Sequence, residues 1–362
     1  MIEIDGSFGE GGGQILRTAL GLSCLFNKPF RIFNIRKGRK NPGLMPQHIT
    51  CVRAVQLLSN ADVIGNIKGS TELIFSPKGV KGGDFFFDIG TAGSTSLVLQ
   101  TIIPSMMFLD RKTTVVLKGG THVSFSPCYH YISEVFVPML KKLGVKIELN
   151  IESYGFYPKG GGRIRAEIFP AKEIKPLIIM ERGYLVRLSG YSGVGNLHPS
   201  IAERQRNAFM KKIHSQADIK CQVDMEIIDA PTPGQGTFVF MKSESENSVA
   251  GFTAIGERGK RAEMVGEEAA IEFLNYYSSN AALDSHLPDQ IVLYLSLCNN
   301  ESVFTTSCIT QHLLTNLWVI GLFHKYEFSI EGETGGHGKV KMVGSERIEL
   351  PTRGFSGPCS TD

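Results

Sequence analysis

The sequence lacks any cysteine arrangement typical of disulfide frameworks or zinc sites. Its seven cysteines stand at positions 24, 51, 128, 221, 298, 308 and 359, and no two form a Cys-x2-Cys pair. The odd count and irregular spacing argue against a disulfide-stabilised secreted protein and against a zinc knuckle. An alternating strand pattern begins at Ile2, which leaves no room for a signal peptide. We therefore expect a protein of the reducing cytoplasm.

Long apolar runs and a strong excess of one charge are also missing. No apolar segment approaches the ~20 residues needed to cross a bilayer, so we expect no membrane association. A net charge of +3 over 362 residues excludes a strongly polycationic nucleic-acid coat, but it allows a local basic groove. Hydrophobic residues make up 42% and charged residues 20%, which is typical of globular proteins.

Glycine, in contrast, is abundant, with 40 residues, and a glycine-rich loop is the strongest single signal. In Gly9-Glu10-Gly11-Gly12-Gly13-Gln14-Ile15-Leu16-Arg17 a bare backbone precedes a predicted helix, whose free N–H groups favour anions. Glu10 would repel a phosphate unless a divalent cation lay between them, so the loop predicts a metal-bound phosphate with Glu10 as a metal ligand. The spacing matches neither the dinucleotide fingerprint nor the P-loop. The alternative is a tight turn that needs glycine only for steric reasons.

Basic residues cluster in a second loop rich in glycine and proline. Arg31, Arg36, Lys37, Arg39 and Lys40 fall within ten residues of one another. Such a cluster can bind phosphates, although a run of charges can equally form a solvated face.

Strand and helix signals alternate along the chain. The order strand, helix, strand, helix, strand, strand is predicted for the first part, with 72–75 and 84–89 as its last two strands. The order recurs through residue 169, and a third pass begins at Leu287. A repeated α+β architecture, with helices layered on sheets, satisfies this pattern. Residues 181–280 break the rhythm and are predicted to form an inserted α/β domain, and 346–362 to form a disordered tail.

Further motifs follow the glycine-rich loop in order along the chain. They are Arg36-x-Gly38-Arg39-x-x-Pro42-Gly43-Leu44-x-Pro46-Gln47-His48, Gly90-Thr91-Ala92-Gly93-Ser94, Lys118-Gly119-Gly120-Thr121, Gly155-Phe156-Tyr157-Pro158-Lys159-Gly160-Gly161-Gly162 and Asp289-Gln290. Together these motifs resemble the catalytic class of the RNA 3′-terminal phosphate cyclase family, over residues 2 to about 343. The resemblance implies an α+β fold in which three repeated βαβαββ units form a large catalytic domain, 1–180 and 281–345. A smaller inserted α/β domain, 181–280, separates the second unit from the third.

The same resemblance implies an ATP-dependent reaction in three steps. A histidine takes AMP from ATP and releases pyrophosphate, AMP then passes to an RNA 3′-phosphate, and the neighbouring 2′-hydroxyl closes a 2′,3′-cyclic phosphate. A covalent intermediate of this kind divides one difficult step into easier ones. The implied cofactors are ATP with Mg²⁺ or Mn²⁺, and the implied partner is the 3′ end of an RNA. The oligomeric state stays open.

The resemblance carries over to individual residues. His312, within Gln311-His312-Leu313-Leu314-Thr315-Asn316, occupies the position of the family's nucleophile. Implied ATP-binding residues are Gln100, Pro127, Tyr131, His286, Leu287, Pro288, Asp289 and Gln290. Implied contacts to the phosphates and the RNA end come from Glu10, Gln14, Arg17, Arg39, Gln47 and His48. His286 stands where the family often has a tyrosine, so it offers less area for stacking on adenine.

Two other functions are compatible with this kind of fold. One is a non-catalytic cyclase-like protein of RNA processing or ribosome assembly, a branch of the family that lacks the nucleophile. The other is a small-molecule transferase of the enolpyruvyl type, which uses no covalent histidine. The presence of His312 together with Arg17, Arg39 and Gln100 favours the enzyme. Likeness of fold alone would not separate the three.

Overall fold

The computed structural model describes residues 1–215, 219 and 221–344. Helices pack on mixed β-sheets, so the predicted α+β class is confirmed. The predicted tail at 346–362 lies outside the described residues. Among the helices of the described part, none combines the length and the apolar character that a membrane span requires.

Nine α-helices lie in the described part of the chain. They are α1 (Gly13–Phe26), α2 (Pro46–Ser59), α3 (Thr95–Met106), α4 (Tyr129–Tyr131), α5 (Val137–Lys142), α6 (Ser200–His214), α7 (Ala262–Ser279), α8 (Leu287–Leu295) and α9 (Gln311–Phe323). A π-helical segment, Ile132–Phe136, joins α4 to α5.

The strands include several that are too short to show a clear pattern in the sequence. They are β1 (Ile2–Asp5), β2 (Phe30–Phe33), β3 (Asp62–Ile64), β4 (Leu73–Ser76), β5 (Asp84–Asp88), β6 (Thr113–Gly119), β7 (Ile147–Ser153), β8 (Gly162–Ile168), β9 (Ile178–Ile179), β10 (Leu185–Gly195), β11 (Gln222–Asp229), β12 (Gly236–Ser245), β13 (Val249–Ile255), β14 (Ser302–Thr306), β15 (Tyr326–Gly332) and β16 (Gly338–Gly344).

Within the described residues, three four-stranded sheets share one topology. Their strand orders are β1-β2-β4-β3, β5-β6-β8-β7 and β9-β14-β16-β15. In each sheet the first two strands are parallel and the remaining pairs are antiparallel. The fourth sheet has the strand order β11-β10-β12-β13. Its strands and the helices α6 and α7 all belong to the chain segment between β9 and α8. The proposed domain boundaries at 181 and 280 stay a prediction.

Two strand assignments from the sequence need correction. The strand at 84–89 was expected to end the first unit, but β5 pairs in parallel with β6 and so begins the second sheet. The first sheet is instead completed by β3, a three-residue edge strand whose Asp62 and Ile64 are exposed. The third sheet likewise begins before Leu287, at β9, which pairs in parallel with β14. Strands of two or three residues show too few alternations to predict from a pattern.

Packing of the helices in the core brings the N-termini of α1, α8 and α9 close together. Helix α1 contacts α2, α3 and α9, and α9 in turn contacts α8. Because α1 packs on several neighbours, most of its residues are buried, among them Ile15, Leu16 and Leu20. Fixing α1 between these helices brings the glycine-rich loop to the first turns of α8 and α9.

Candidate active site

A cavity of about 1090 Å³ lies beside the N-termini of α1, α8 and α9. Its lining includes most of the residues that the resemblance implied, although they are far apart in the sequence. They are Glu10, Gln14, Arg17, Arg39, Gln47, His48, Gln100, Pro127, Tyr131, His286, Asp289, Gln290 and His312. The other two, Leu287 and Pro288, are buried in the first turn of α8.

His312 lies in the first turn of α9, with about half of its side chain exposed. Its Nε2 atom is 2.6 Å from a carboxylate oxygen of Glu10, and its Nδ1 atom contacts the Oε1 atom of Gln14. The amide nitrogen of Gln14 donates to the backbone carbonyl of His312 at 3.0 Å, which directs Oε1 towards Nδ1. Because Oε1 can only accept, this arrangement places a proton on Nδ1.

Burial of the imidazole is the main cause that favours the neutral form of His312. Partial burial lowers the pKa of the imidazole below its ordinary value, and the carboxylate of Glu10 opposes this shift. Positive charge on Arg17 and Arg39 lowers the pKa further. With Nδ1 protonated, the lone pair of a neutral ring lies on Nε2, where it can act as a nucleophile.

The glycine-rich loop brings bare backbone to the cavity. Gly9 and Gly11 have φ values of +56° and +60°, a region that favours glycine. No side chain caps the start of α1 at Gly12, so among the described residues its first N–H groups have no side-chain acceptor. Both Gly12 and Gly13 line the cavity. These donors, together with the helix dipole, favour an anion at this end of the cavity.

His48 supplies a neutral donor beside that helix start. Its Nδ1 atom accepts the backbone N–H of Met45 at 3.0 Å, so the proton of the neutral ring lies on Nε2. A methyl group on Gly13 would come within 2.2 Å of this Nε2 atom. Burial lowers the pKa of His48 to about 3, with smaller effects from Arg17 and Arg36. The ring therefore stays neutral at pH 7 and can donate a hydrogen bond.

Glu10 lies between a cation and the predicted nucleophile. Its carboxylate pairs with the guanidinium of Arg39 through one oxygen and contacts His312 through the other. Within the described residues, no group of three or more His, Cys, Asp or Glu side chains is placed to hold a metal ion. A divalent ion beside Glu10 would therefore need further oxygen ligands from a bound phosphate.

The first turn of α8 forms the opposite wall. Burial raises the pKa of Asp289 to about 7, and the charge of Asp284 adds to this increase while His286 opposes it. The amide nitrogen of Gln14 lies 3.4 Å from the Asp289 carboxylate. The backbone carbonyl of Asp289 accepts a hydrogen bond from Asn316 at 2.6 Å. Asp289 is thus held from both α1 and α9.

Two amides link α3 to the same turn. Gln100 donates to the side-chain oxygen of Gln290 at 2.6 Å, and Gln290 donates to the carbonyl of His286 at 2.9 Å. The side chain of His286 is exposed to the cavity, whereas Tyr131 is buried in the wall. This part of the cavity offers flat rings and amides, which suit a nucleobase.

Sequence reasoning missed several residues that build the site. Thr18 of α1 donates to the side-chain oxygen of Asn316 at 2.7 Å, which ties α1 to α9. Asn316 stands four residues after His312, so helical spacing could have placed both on one face. Asp284 accepts hydrogen bonds from several elements, but it belongs to none of the sequence motifs.

The segment between β9 and α8 also contributes to the cavity, although its sequence offered no interpretable motif. Thr253, Ile255, Lys260 and Glu272 line the cavity from β13, the following loop and α7. A site assembled across separate parts of the chain cannot be read from local patterns.

Comparison with known proteins agrees with the resemblance drawn from the motifs. A family model described as RNA 3′-terminal phosphate cyclase matches residues 8–330. A protein of that name from Sulfolobus acidocaldarius is 46% identical over 338 residues, which cover 92% of this chain and 98% of the relative. Proteins of the same name from Pyrobaculum aerophilum and Pyrococcus abyssi are 41% and 40% identical, and each alignment covers 96% of this chain and nearly all of the relative. The chain belongs to the RNA 3′-terminal phosphate cyclase family.

Proposed function

We propose that the protein converts an RNA 3′-terminal phosphate to a 2′,3′-cyclic phosphate at the expense of ATP. The observation that carries this proposal is the placement of His312, whose Nε2 atom faces a cavity lined by Arg17, Arg39 and the free start of α1. The names of the relatives support the same reaction.

The first step is attack by Nε2 of His312 on the α-phosphorus of ATP. A phosphorus–nitrogen bond forms, the bond to the β-phosphate oxygen breaks, and pyrophosphate leaves. Gln14 holds the proton on Nδ1, so the attacking lone pair lies on Nε2. The carboxylate of Glu10 must leave Nε2 before this attack, because it occupies the position that the phosphorus requires.

The charged residues of the cavity bind and orient the phosphates. Arginine binds phosphate oxygens through pairs of N–H groups, and Arg17 and Arg39 are placed to do so. His48 adds a neutral N–H donor. Such fixed donors stabilise charge as the phosphoryl oxygens change partners. A Mg²⁺ or Mn²⁺ ion held by Glu10 and the nucleotide phosphates would neutralise part of their charge.

The second and third steps transfer AMP and close the ring. An oxygen of the RNA 3′-phosphate attacks the adenylate, the phosphorus–nitrogen bond breaks, and His312 regains its lone pair. The vicinal 2′-hydroxyl then attacks the terminal phosphorus, loses its proton to solvent, and expels AMP. The chemistry needs that hydroxyl, so the substrate is RNA and not DNA.

We assign the nucleotide base to the amide and ring wall. Adenine would lie between His286 and Pro127, with Tyr131, Gln100 and Gln290 around its edge. Leu287 and Pro288 would support this wall from within the first turn of α8, where Asp289 would face the sugar and phosphates.

Labelling with ATP that carries a radioactive α-phosphate tests the first step. In the presence of Mg²⁺ or Mn²⁺ we expect the wild-type protein to become labelled and His312→Ala to remain unlabelled. The matched variant His198→Ala changes an exposed histidine that is not among the cavity-lining residues, and it should label normally. Circular dichroism would show that each variant is folded.

Two results would overturn the proposal. A labelled His312→Ala protein would mean that another residue is the nucleophile. An unlabelled wild type would favour the non-catalytic alternative, and turnover of phosphoenolpyruvate would favour the transferase.

A further inference from the structure

A buried carboxylate outside the predicted site connects three parts of the cavity wall. Asp284, 1% exposed, lies between α7 and α8. Its carboxylate accepts the hydroxyl of Tyr131 at 2.9 and 3.1 Å. It also accepts the backbone N–H groups of His286 at 2.8 Å, Leu287 at 2.9 Å and Gly251 at 3.2 Å. These donors come from α4, the start of α8 and β13.

Two of these contacts fix the start of α8. The N–H groups of His286 and Leu287 lie at the N-terminus of the helix, where backbone donors have no intrahelical partner. Asp284 satisfies both through its Oδ1 atom, which is the role of an N-terminal capping carboxylate. The orientation of this turn determines where His286 and Asp289 face the cavity.

The other two contacts, from Tyr131 of α4 and Gly251 of β13, join these two elements to that turn. Gly251 packs so closely on Tyr131 that an added methyl group would lie 2.9 Å from the tyrosine ring. A second contact supports this junction, because the sulfur of Cys128 lies 3.3 Å from the hydroxyl oxygen of Thr253. Gly251 and Thr253 both line the cavity. The junction therefore sets the distance between the β13 wall and the α8 wall.

We propose that Asp284 is a positioning residue for ATP, which holds the start of α8, Tyr131 and β13 in the arrangement that the nucleotide base requires. This inference rests on the proposed ATP-dependent function. Asp284 is not among the residues that line the cavity, so it acts through the groups that it binds. Its loss should weaken ATP binding and leave the chemical step at His312 nearly unchanged.

The variant Asp284→Asn keeps some of the contacts of Asp284 and removes another. The remaining oxygen can still accept the N–H groups of α8, but the new amide nitrogen cannot accept the N–H of Gly251. Tyr131→Phe removes only the hydroxyl. Tyr129→Phe is the matched control, because its hydroxyl contacts the carbonyl of Leu149 instead of Asp284.

Equilibrium dialysis with ATP and Mg²⁺ measures the affinity, and single-turnover labelling at saturating ATP measures the chemical step. Leaving a buried donor unpaired should raise the ATP dissociation constant about tenfold in Asp284→Asn, and loss of one hydrogen bond about threefold in Tyr131→Phe. In Asp284→Asn the labelling rate at saturating ATP should stay within about twofold of the control.

Unchanged ATP affinity in both variants, or a loss confined to the saturated labelling rate, would overturn the inference. If Asp284→Asn does not fold, Asp284→Glu, which keeps the carboxylate but moves it by one methylene group, is measured in its place. A wild type that binds ATP without becoming labelled would contradict the proposed function, while dialysis would still test Asp284. A wild type that does not bind ATP would overturn both.

Discussion

The imidazole of His312 is held by contacts to both of its nitrogens, and the two contacts have opposite consequences. The side-chain oxygen of Gln14 accepts a hydrogen bond from the N–H at Nδ1 and so keeps the lone pair of a neutral ring on Nε2. Glu10 lies against Nε2 and favours the protonated ring. A divalent ion bound together with a nucleotide would draw Glu10 away and so expose Nε2, the proposed nucleophile.

Replacing Gln14 tests whether this residue fixes the proton of His312 on Nδ1. Gln14→Met keeps the length of the side chain but removes the acceptor for Nδ1, so either ring nitrogen can carry the proton. We expect the labelling rate at saturating ATP to fall about tenfold, which corresponds to the loss of one or two hydrogen bonds. Gln56→Met, on α2 and outside the cavity lining, is the matched control. A rate equal to that of the control would contradict the assigned tautomer.

At the scale of single residues, the resemblance predicted much of the cavity lining, including His312, Arg17 and Arg39. It did so because these residues belong to motifs with fixed spacing. Asp284 and Asn316 escaped because each acts through a partner distant in the sequence, such as Gly251 or Thr18. A buried polar residue shows its partners only after the chain has folded.

Among the elements, α1 begins at the proposed phosphate end of the cavity. Its first residue, Gly13, lies against the ring of His48. That ring is buried and fixed by the N–H of Met45, so it cannot move aside easily. Glycine is therefore required at Gly13 by this close approach.

Gly13→Ala should disrupt the phosphate end while leaving α1 helical. The added methyl group would lie 2.2 Å from Nε2 of His48 and 3.0 Å from the Arg17 guanidinium, so at least one of them must shift. We expect labelling by ATP to fall at least tenfold, since misplacement by about 1 Å can cost a factor of about 100. Gly38→Ala is the control, because a methyl group there meets nothing within 4 Å. Equal labelling by the two variants would show that His48 adapts.

Prediction of the elements succeeded where periodicity was long. The helices α1, α2 and α9 each cover more than three turns, and the sequence pattern predicts helices over 12–26, 46–60 and 312–322, within one residue of the observed ends. The strands β3 and β9 were missed because their two or three residues carry no period. Missing β9 also hid the fact that the third sheet starts before the segment containing β10 to β13.

For the whole molecule, aromatic rings and histidines connect the second sheet to the segment between β9 and α8. The ring of His122 lies 4.2 Å from that of Phe238 and 5.2 Å from those of His130 and Tyr154, measured between ring centres. Its Nε2 atom is buried and has no hydrogen-bond partner among the described residues. Burial lowers the pKa of His122 well below its ordinary value, and His130 adds to the shift.

This burial predicts that the protein loses stability in mild acid. An unfolded histidine binds a proton near its ordinary pKa of about 6.5, whereas His122 and His48 stay neutral in the folded state. The contribution of these two neutral rings to the free energy of unfolding is therefore complete above about pH 6.5. It is lost as the pH falls below that value, by up to ~1.4 kcal/mol per pH unit for each histidine. Asp289 has the opposite effect on the free energy of unfolding. Its pKa is raised to about 7 in the folded state, so as the pH falls the folded state binds a proton before the unfolded state does, and this stabilises the fold.

Urea unfolding between about pH 5 and pH 7 checks this prediction, with variants separating the groups. His122→Phe removes one titrating group and keeps an aromatic ring, so the free energy of unfolding should depend less steeply on pH than in the wild type. His198→Gln, at an exposed position, is the control. A pH dependence unchanged by His122→Phe would show that His122 titrates alike in the folded and unfolded protein, and would contradict its lowered pKa.

The most direct test of the account is to locate the nucleotide on the protein. After incubation with ATP and Mg²⁺, the protein would be digested under mildly alkaline conditions and its peptides sequenced by mass spectrometry. We predict that AMP is found on the peptide containing His312, attached to the imidazole, and that added pyrophosphate removes it. AMP attached to a lysine, or no adduct on a folded protein that binds ATP, would contradict the central claim.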